Sequence, residues 1–337
     1  MGKVYRNSTV TIAAASANGT SEGFLSARKL PEACTLPFLT PDGVLGSISL
    51  AAPIYTYNPA QPLDSRGWAL QEFLLSPRLL MYGASELTWH CQTESYKPVT
   101  STHLYYWQRV KRLPPEVFNH RKPRLRSCRQ QIEVWASIIS EYTRRSLTYT
   151  EDKLPAIDGI ASELKEVWQD EYIYGMWRKC LVPHLGWQRP YYFREPNLSR
   201  SDRAPSWSWA SMNCPVEWDS TIVHYPEANV ENIVDDFISS TAKEWVPREL
   251  SITGKVLISE AVEPEHTRYW FARSDLDGTD MNDGRIFYLL LGRSKRKHPV
   301  GLILIQLDTG VFRRIGCLDY CDAVEWSDAH VQTINIV

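Results

Sequence analysis

The sequence predicts a mixed α+β protein made of three modules in chain order. A short apolar run followed by a helix and two short strands indicates an α/β segment over residues 1–100. Apolar residues at helical spacing indicate a helical module over residues 131–215, and alternating runs indicate an antiparallel β-rich module over residues 216–337. With 337 residues, of which 43% are hydrophobic and 23% charged, the chain can bury a substantial core.

Charge and cysteine content narrow the class of protein. The formal net charge of -2 supplies no attraction to nucleic acid or to an anionic membrane. The longest apolar runs, such as Val300–Ile305, are too short to span a bilayer. The 7 cysteines are odd in number and scattered, which is typical of reduced thiols inside the cell. We therefore expect a cytoplasmic protein with no membrane span that binds no nucleic acid.

The first module begins with Ser8–Ser16 (STVTIAAAS), a run of small and β-branched residues. Such a run is typical of a parallel strand buried on both faces, yet only 7 residues precede it. We therefore expect its partner later in the chain, or in a part of the domain that would precede Met1. Further strands are expected at Ser47–Ala51, and at Arg78–Tyr82 and Leu87–Cys91, which would form a hairpin.

A helix is expected over Asp64–Arg78 (DSRGWALQEFLLSPR). Asp64 or Ser65 would cap its start, and Pro77 would end it. Its apolar face would be formed by Leu70, Phe73 and Leu74.

A basic linker over residues 101–130 leads into the helical module. Three helical segments are expected there, at Ile132–Tyr142, Leu154–Trp168 and Tyr172–Leu185. The linker and the basic stretch Arg293–His298 (RSKRKH) could bind phosphate or direct nuclear import. The simpler interpretation is a solvated linker and a solvated loop between paired strands.

The helical module ends in the segment Arg203–Ser211 (RAPSWSWAS). We expect a strand in which Trp207 and Trp209 point to one face and are buried where the helical and β modules meet. The β module is expected to contain four strands, at Glu249–Ser259, Arg285–Leu291, Gly301–Leu307 and Val331–Val337.

Three stretches together resemble the fungal heterokaryon incompatibility (HET) family. The first is Met1–Leu25 (MGKVYRNSTVTIAAASANGTSEGFL), and the second is Ser65–Cys91, with its Arg-Gly-Trp-x-Leu-Gln-Glu helix and following hairpin. The third runs from DKLPAIDGIAS through YIYGMWRKCLVPHLGW to RAPSWSWAS and is similar to the region that commonly follows the domain. The resemblance spans nearly the whole chain.

The resemblance implies a role in fungal allorecognition and regulated cell death, with other HET or allorecognition proteins as partners. The family's domain normally opens with a Ser-Tyr-x-Trp-Gly strand and a Trp-Ile-Asp-x-Leu-Cys-Ile-x-Gln strand, and neither motif occurs here. We therefore expect an amino-terminally truncated domain without catalytic activity, which could modulate a full-length relative.

The HET family has been viewed as a remote relative of Toll/interleukin-1 receptor (TIR) domains, some of which cleave NAD. In that pattern a strand ends in Ser, and a Trp-x-x-x-Glu helix supplies a glutamate to the nicotinamide ribose. Ser16 and the pair Trp68 and Glu72 match these positions. The resemblance thus implies Glu72 as a catalytic carboxylate, Ser16 and Trp68 as ligand-binding residues, and NAD as a substrate rather than a resident cofactor. Alternatively, Glu72 is a solvated helix residue or pairs with Arg66 or Arg78.

Other candidate sites have weaker sequence support. Cys317 and Cys321 lie four residues apart with His330 nearby, but a zinc site usually has a second short-spaced pair, so no metal is expected. His90 and Cys91 are adjacent on a predicted strand and would point to opposite faces, which favours packing over catalysis.

Overall fold

The computed structural model describes most of the chain in two compact units. One comprises residues 1–121 and 145–147 and is called the amino-terminal unit; the other comprises residues 122–144 and 148–337 and is called the carboxy-terminal unit. The described residues are 2–25, 27, 33–51, 61–84, 87–92, 95–96, 112–119, 127–190, 193, 200–218, 223–233, 249–259, 272–274, 285–318 and 326–337. Helices and strands occur in both units, so the protein is mixed α+β, with a large, mainly antiparallel sheet towards the carboxyl end.

The amino-terminal unit contains short helices and two separate sheets. Its elements are α1 (Gly2–Arg6), β1 (Thr11–Ala13), β2 (Ala33–Leu39), β3 (Leu45–Ala51), α2 (Gly67–Leu75), β4 (Arg78–Tyr82), β5 (Leu87–Cys91), β6 (Ser95–Tyr96) and α3 (Glu116–Asn119). One sheet has the order β1-β4-β5-β6, in which only β1 and β4 run parallel. The other is the hairpin of β2 and β3.

The first strand is parallel, as predicted, and its partner comes later in the chain. Residue Thr11 lies opposite Leu79 of β4. The strand covers only Thr11–Ala13, and Ile12 is 57% exposed, so the expectation of burial on both faces is wrong. The reason is that Ile12 faces an open cavity instead of packing under another element. The predicted hairpin of β4 and β5 is confirmed with the expected bounds.

Helix α2 forms where a helix was expected but begins differently. A 3-10 helix over Pro62–Ser65 precedes it, and neither Asp64 nor Ser65 caps α2. Asp64 instead accepts a hydrogen bond from the Gln61 amide (2.9 Å) within the turn. The helix ends at Leu75, two residues before the proline that was expected to stop it.

In the carboxy-terminal unit, helices precede a large sheet. Its elements are α4 (Cys128–Tyr142), α5 (Pro155–Trp168), β7 (Tyr172–Ile173), β8 (Met176–Trp177), α6 (Leu181–His184), β9 (Tyr225–Pro226), β10 (Asn229–Ile233), β11 (Leu250–Ser259), β12 (Ala272–Ser274), β13 (Ile286–Arg293), β14 (Pro299–Gln306), β15 (Phe312–Leu318) and β16 (His330–Ile336). The four predicted β segments correspond to β11, β13, β14 and β16. The stretch RSKRKH lies at the turn between β13 and β14, where the Ser294 amide donates to the His298 carbonyl oxygen (2.8 Å).

The two long helices confirm the predicted helical spacing. Helix α4 begins one turn before the predicted segment because the Ser127 hydroxyl accepts from the Gln130 amide. Its apolar face is fully buried at Trp135, Ile138 and Ile139. Helix α5 likewise buries one face, formed by Ile157, Ile160, Ala161, Leu164 and Trp168. Of the predicted linker, residues 101–111 and 120–126 lie outside the described part of the chain.

Five strands of the large sheet close into a ring. Strand β11 pairs with β16 through one part of its length and with β13 through another. The series β13-β14-β15-β16 completes the circuit, and β15 and β16 meet in a parallel pair at Phe312 and Ile336. Leu289, Leu302 and Ile336 are fully buried. The β module is therefore a small barrel with its own core.

The third predicted helix, Tyr172–Leu185, is wrong over most of its length. Strands β7 and β8 form a tight hairpin, and a 3-10 helix and the short α6 follow. Tyr174 and Gly175 have φ angles of 45° and 88°, and two successive positive φ angles make a turn that reverses the chain. The apolar residues of this stretch alone did not distinguish a helix from a buried hairpin.

The tryptophan-rich segment is buried, as predicted, but it is not a strand. Residues 203–208 form turns, and Trp209–Ser211 forms a 3-10 helix. Trp207 and Trp209 are both 0% exposed. The Trp207 carbonyl oxygen accepts from the Trp187 indole (2.9 Å), and the Ser206 amide donates to the Val337 carbonyl oxygen (3.1 Å). The segment therefore joins the helical part of this unit to the last strand of the barrel.

The cysteines differ in one respect from the expectation of free thiols. Cys128 and Cys180 form a disulfide, which overturns that expectation for this pair. Cys34 is an exposed thiol, and Cys214 and Cys317 are buried thiols outside that disulfide; Cys321 lies outside the described residues.

Candidate functional site

The amino-terminal unit contains a cavity of about 390 Å³ between α1, the loop after β1, and α2. This volume lies within the range of about 300–1,000 Å³ that is usual for small-molecule sites. Its wall is mixed, with aromatic and aliphatic side chains and a few polar ones. The polar and charged lining residues are Tyr5, Thr11, Asn18, Thr20, Glu22, Arg66 and Glu72.

Glu72 reaches the cavity from the middle of α2, where it is half-buried. The start of this helix is fixed by a crossing segment of the chain: the Gly67 amide donates to the Ser146 carbonyl oxygen (2.8 Å), and the Ser146 amide donates to the Ser65 carbonyl oxygen (2.6 Å). A Cβ atom at Gly67 would lie 2.5 Å from the side chain of Leu147. A larger residue at this position of the Arg-Gly-Trp motif would have to displace the Leu147 side chain.

The end of α2 is tied to β1, the other main wall of the cavity. The Ser76 hydroxyl donates to the carbonyl oxygen of Glu72 (2.6 Å), and its oxygen lies within hydrogen-bond distance of the Thr11 hydroxyl (2.8 Å). Thr11 also shares a hydrogen bond with Ser8 (3.0 Å). Both ends of the helix that carries Glu72 are thus held by hydrogen bonds.

Tyr5 on α1 is hydrogen-bonded to the Glu72 carboxylate. The pKa of the Tyr5 phenol is raised to about 12, first by burial and then by the hydrogen bond and the negative charge of Glu72, while the positive charge of Arg66 opposes the rise. The phenol is therefore protonated at neutral pH and acts as the donor, and the carboxylate accepts. Tyr5 orients Glu72 and takes up part of its capacity to accept hydrogen bonds.

Arg66 and the loop after β1 supply the remaining polar groups. The loop is closed by Glu22, whose carboxylate accepts from the Asn18 amide (2.7 Å). It is joined to the segment before α2 by a hydrogen bond from the Leu63 amide to the Ala15 carbonyl oxygen (3.3 Å). The cavity therefore combines one guanidinium, two carboxylates and a phenol with an apolar floor.

Of the three residues predicted to form the site, only Glu72 lines the cavity. Ser16 does not end the strand, because β1 stops at Ala13 and Ser16 lies in the following turn, where its amide donates to the Tyr82 carbonyl oxygen (3.2 Å). Trp68 is half-buried near the start of α2 and does not line the cavity. Arg78, offered as a partner for Glu72, donates to the Thr9 carbonyl oxygen (3.3 Å).

Tyr5 and Arg66 were not singled out by sequence reasoning as ligand-binding residues. Both belong to stretches that carry the family resemblance, VYRN in the first and SRGW in the second. Their position in those stretches was the available signal. Helix α1 was also not predicted, because its five residues are too few for a periodic pattern.

The other candidate sites receive little support from the geometry. His90 and Cys91 line a cavity of only about 50 Å³, which has room for a few water molecules. The His90 ring packs edge-on against Phe73 (5.7 Å between centroids), and Arg112 donates to the Cys91 carbonyl oxygen (3.0 Å). Within the described residues, no group of three or more His, Cys, Asp or Glu side chains could hold a metal ion.

Comparison with known proteins adds no relative. No family model, no curated protein and no solved structure matches the chain. Among the described residues, no helix has the length and apolar character needed to cross a membrane.

Proposed function

We propose that this chain is a HET-family protein of a filamentous fungus that acts in the cytoplasm in allorecognition and regulated cell death, and that its amino-terminal unit binds the ribose of a nucleotide. The family part of the proposal rests on the three stretches that resemble HET proteins. The observation that carries the ligand part is that Glu72, Tyr5 and Arg66 line one cavity of about 390 Å³.

The chemistry of these three residues suits a sugar that carries a phosphate. A carboxylate accepts hydrogen bonds from two neighbouring ribose hydroxyls, and charge-assisted bonds of this kind are among the stronger ones in proteins. The guanidinium of Arg66 suits a phosphate oxygen, because its planar donors match the geometry of an oxyanion. The apolar floor, which includes Phe24 and Phe73, suits the face of a base.

In its main form the proposal is non-catalytic, with other HET or allorecognition proteins as partners and no nucleic acid. The chain would then sense a nucleotide or modulate a full-length relative. Deleting the gene should abolish or weaken the cell-death reaction when incompatible hyphae fuse, and a complete HET protein should co-purify with the chain. An unchanged reaction together with no HET partner would contradict this part.

The alternative is a TIR-like NAD glycohydrolase that uses Glu72. The half-buried carboxylate in a cavity of ligand size favours it. Glu72 would stabilise positive charge at the ribose C1′ as the bond to nicotinamide breaks. Water would add to C1′, so that NAD and water give nicotinamide, ADP-ribose and a proton. NAD is the substrate in this reaction, and no resident cofactor takes part.

One experiment separates these possibilities. Binding of NAD and of ADP-ribose is measured by calorimetry, and nicotinamide release is measured by chromatography, for the wild type, Glu72→Gln and Glu166→Gln. Glu166 is the matched control because it is an exposed glutamate on helix α5 in the other unit. We expect Glu72→Gln to weaken binding about tenfold, the loss of one charge-assisted hydrogen bond, and Glu166→Gln to leave it unchanged.

Each outcome decides between the two forms. Binding without nicotinamide release supports the non-catalytic form, whereas release that disappears in Glu72→Gln supports the glycohydrolase. Absence of binding by both compounds rejects the nucleotide site and leaves the family assignment to the genetic test.

A further inference from the structure

The disulfide between Cys128 and Cys180 joins the start of α4 to the start of α6. The two cysteines are 52 residues apart in the chain, and their Cα atoms are 5.7 Å apart. Cys128 is the first residue of α4, and Cys180 directly precedes α6. The bond therefore closes a loop that contains α4, α5 and the hairpin of β7 and β8 within the carboxy-terminal unit.

The two sulfur atoms of this bond differ in their access to solvent. Cys128 is half-buried, so a small molecule can reach it, whereas Cys180 is only 1% exposed. The rate of thiol–disulfide exchange depends on this access and on which sulfur is attacked. A small thiol dissolved in water would therefore react at Cys128 first.

The position of Cys128 also favours a thiolate once the bond is reduced. It begins a helix of 15 residues, and the partial positive charge at a helix amino terminus stabilises a negative charge there. Arg129 follows it directly, and its guanidinium also pairs with Glu133 (3.2 Å). Because the thiolate is the form that attacks a disulfide, reduced Cys128 is suited to act as the nucleophile.

The surroundings of Cys180 can accommodate a free thiol. Its sulfur lies 3.3 Å from the side-chain oxygen of Gln131, so the thiol of the reduced form has a hydrogen-bond acceptor in place. The chain beside it has a further attachment, because the Lys179 amide donates to the Asp170 carboxylate (3.1 Å). The segment therefore stays attached to the rest of the unit when the disulfide is absent.

We propose that Cys128 and Cys180 are a redox-active pair that passes between dithiol and disulfide by exchange with small thiols such as glutathione. Cys128 exchanges with the small molecule, and Cys180 is the resolving cysteine. This inference is independent of the proposed nucleotide site, and only the choice of glutathione rests on the proposed cytoplasmic location. In a reducing compartment, disulfides are usually transient and serve catalysis or redox sensing.

The exchange balances in atoms and electrons. In the oxidising direction, the Cys128 thiolate attacks glutathione disulfide, which forms a mixed disulfide at Cys128 and releases one glutathione thiolate. The Cys180 thiol then loses its proton and attacks the Cys128 sulfur, which forms the protein disulfide and releases the second glutathione thiolate. Two electrons pass from the cysteines to glutathione disulfide, and their two protons end on the two glutathione thiols. Reduction is the reverse of these steps.

The disulfide restrains the segment that connects the helices to the barrel. A few residues after Cys180, the carbonyl oxygens of Leu185 and Trp187 accept from the guanidinium of Arg314 on β15. Reduction removes one restraint from residues 178–187, so local opening of this segment should become more frequent while the unit stays folded. The redox state of the pair would thus control how firmly the segment is held.

The test is a titration of the full chain with glutathione buffers that range from fully reduced to fully oxidised. Free thiols are trapped with maleimide and located by peptide mass spectrometry. We expect Cys128 and Cys180 to lose their thiols together, in one two-electron transition within this series. A disulfide that persists in the most reducing buffer, or thiols that persist in the most oxidising one, would overturn the proposal.

Cys34→Ser is the control for the titration, because Cys34 is an exposed thiol in the other unit. It should leave the transition of the pair unchanged. A transition that disappears in this variant would assign the reaction to Cys34 and overturn the proposal.

Two further serine variants test the roles of the two cysteines. In glutathione disulfide, Cys180→Ser should accumulate a mixed disulfide at Cys128. Cys128→Ser should form one at Cys180 at least about tenfold more slowly, because Cys180 is buried. Equal rates, or a faster reaction at Cys180, would overturn the assignment of roles. The titration of the wild type needs no substitution and decides on the pair even where a variant does not fold.

Hydrogen exchange of the wild type tests the effect on the connecting segment. Reduction should raise the exchange rate of the backbone amides of residues 178–187 about tenfold, since local opening is no longer restrained by the disulfide. The amides of β14 in the barrel should exchange at the same rate in both states. Identical rates for residues 178–187 in the two states would overturn the proposed restraint.

Discussion

At the scale of single residues, Lys153 is a buried lysine of the carboxy-terminal unit with a strongly shifted pKa. Its ammonium is buried beside the tryptophan-rich segment, where it donates to the Met212 carbonyl oxygen and lies 5.7 Å from the centre of the Trp209 ring. The pKa of Lys153 is lowered from 10.5 to about 7, first by burial and also by the positive charge of Arg203, while Cys214 opposes the shift. The charged form is therefore costly in the folded protein.

This shift predicts that stability rises with pH above neutrality. Between pH 7 and 10.5 the unfolded chain binds a proton at Lys153 that the folded chain does not bind. The free energy of unfolding should then rise by up to about 1.4 kcal/mol per pH unit. Below pH 7 both states are protonated, and the contribution becomes constant. Lys153→Met should remove the rise, as measured by urea unfolding at several pH values.

Lys255→Met is the control for this prediction, because Lys255 is an exposed lysine on β11 of the same unit. It should leave the pH dependence of the wild type unchanged. If Lys153→Met kept the full rise, another group would have to be its source.

At the scale of elements, the turn between β7 and β8 organises the tryptophan cluster. The Gly175 carbonyl oxygen accepts from the indoles of both Trp135 and Trp209, at 2.8 Å each. One turn therefore satisfies two buried N–H groups, each of which would cost about 1–3 kcal/mol if left unpaired. Gly175 itself has a φ of 88°, and a Cβ atom there would lie 2.6 Å from the Trp209 ring.

Gly175 and Gly310 have similar positive φ angles, so substitutions at the two positions distinguish the cost of backbone strain from the cost of steric crowding. Gly310 has a φ of 83° and open space around it, whereas Gly175 is enclosed. Gly310→Ala should cost about 1–2 kcal/mol from the positive φ alone. Gly175→Ala should cost about 3 kcal/mol or more, because displacement of Trp209 adds to it. Denaturant unfolding of both variants measures the difference, and equal losses would show that Trp209 accommodates the methyl group.

At the scale of the whole molecule, distant parts of the chain are held together through the last strand. In β16, Ile336 lies opposite Leu250 of β11 and pairs with Phe312 of β15. It is fully buried, and the next residue, Val337, accepts the hydrogen bond from Ser206. Strand β16 thus closes the barrel and attaches the tryptophan-rich segment to it within the carboxy-terminal unit.

The stability of the barrel should depend strongly on one side chain of β16 and only weakly on another. Ile336→Ala should destabilise the carboxy-terminal unit by about 2–5 kcal/mol, the usual cost of removing a buried aliphatic side chain. Val331→Ala on the same strand should cost no more than about 0.5 kcal/mol, since Val331 is 68% exposed. The shift of the denaturant midpoint measures both, and similar shifts would contradict closure of the ring by Ile336.

Local patterns correctly predicted the elements in which a regular spacing of apolar side chains extends over many residues. Helices α4 and α5 and strands β11, β13, β14 and β16 followed from spacing alone, because a buried face repeats at the period of its element. The same reasoning failed at Tyr172–Leu185, which is nearly all apolar and so offers no regular alternation to read. There the positive φ angles of Tyr174 and Gly175 form the turn of a hairpin.

The candidate site was predictable only in part. Glu72 followed from its spacing to Trp68 within a recognisable motif, but the same motif wrongly suggested that Ser16 ends the first strand. The roles of Tyr5 and Arg66 depend on α1 packing on α2 and on the path of the loop after β1. Contacts between residues far apart in the chain are not encoded in local spacing.

The sequence by itself determined the α+β class, the burial of Trp207 and Trp209, and Glu72 as the candidate carboxylate. The class and the burial of the tryptophans depend on composition and on the spacing of neighbouring residues, whereas Glu72 follows from the resemblance to the TIR pattern and stays a prediction. Only the tertiary structure decided that Arg203–Ser211 is a turn and 3-10 segment, that the barrel closes through β16, and that Tyr5 meets Glu72. The physical reason is that these features arise from hydrogen bonds and packing between segments that are distant in sequence.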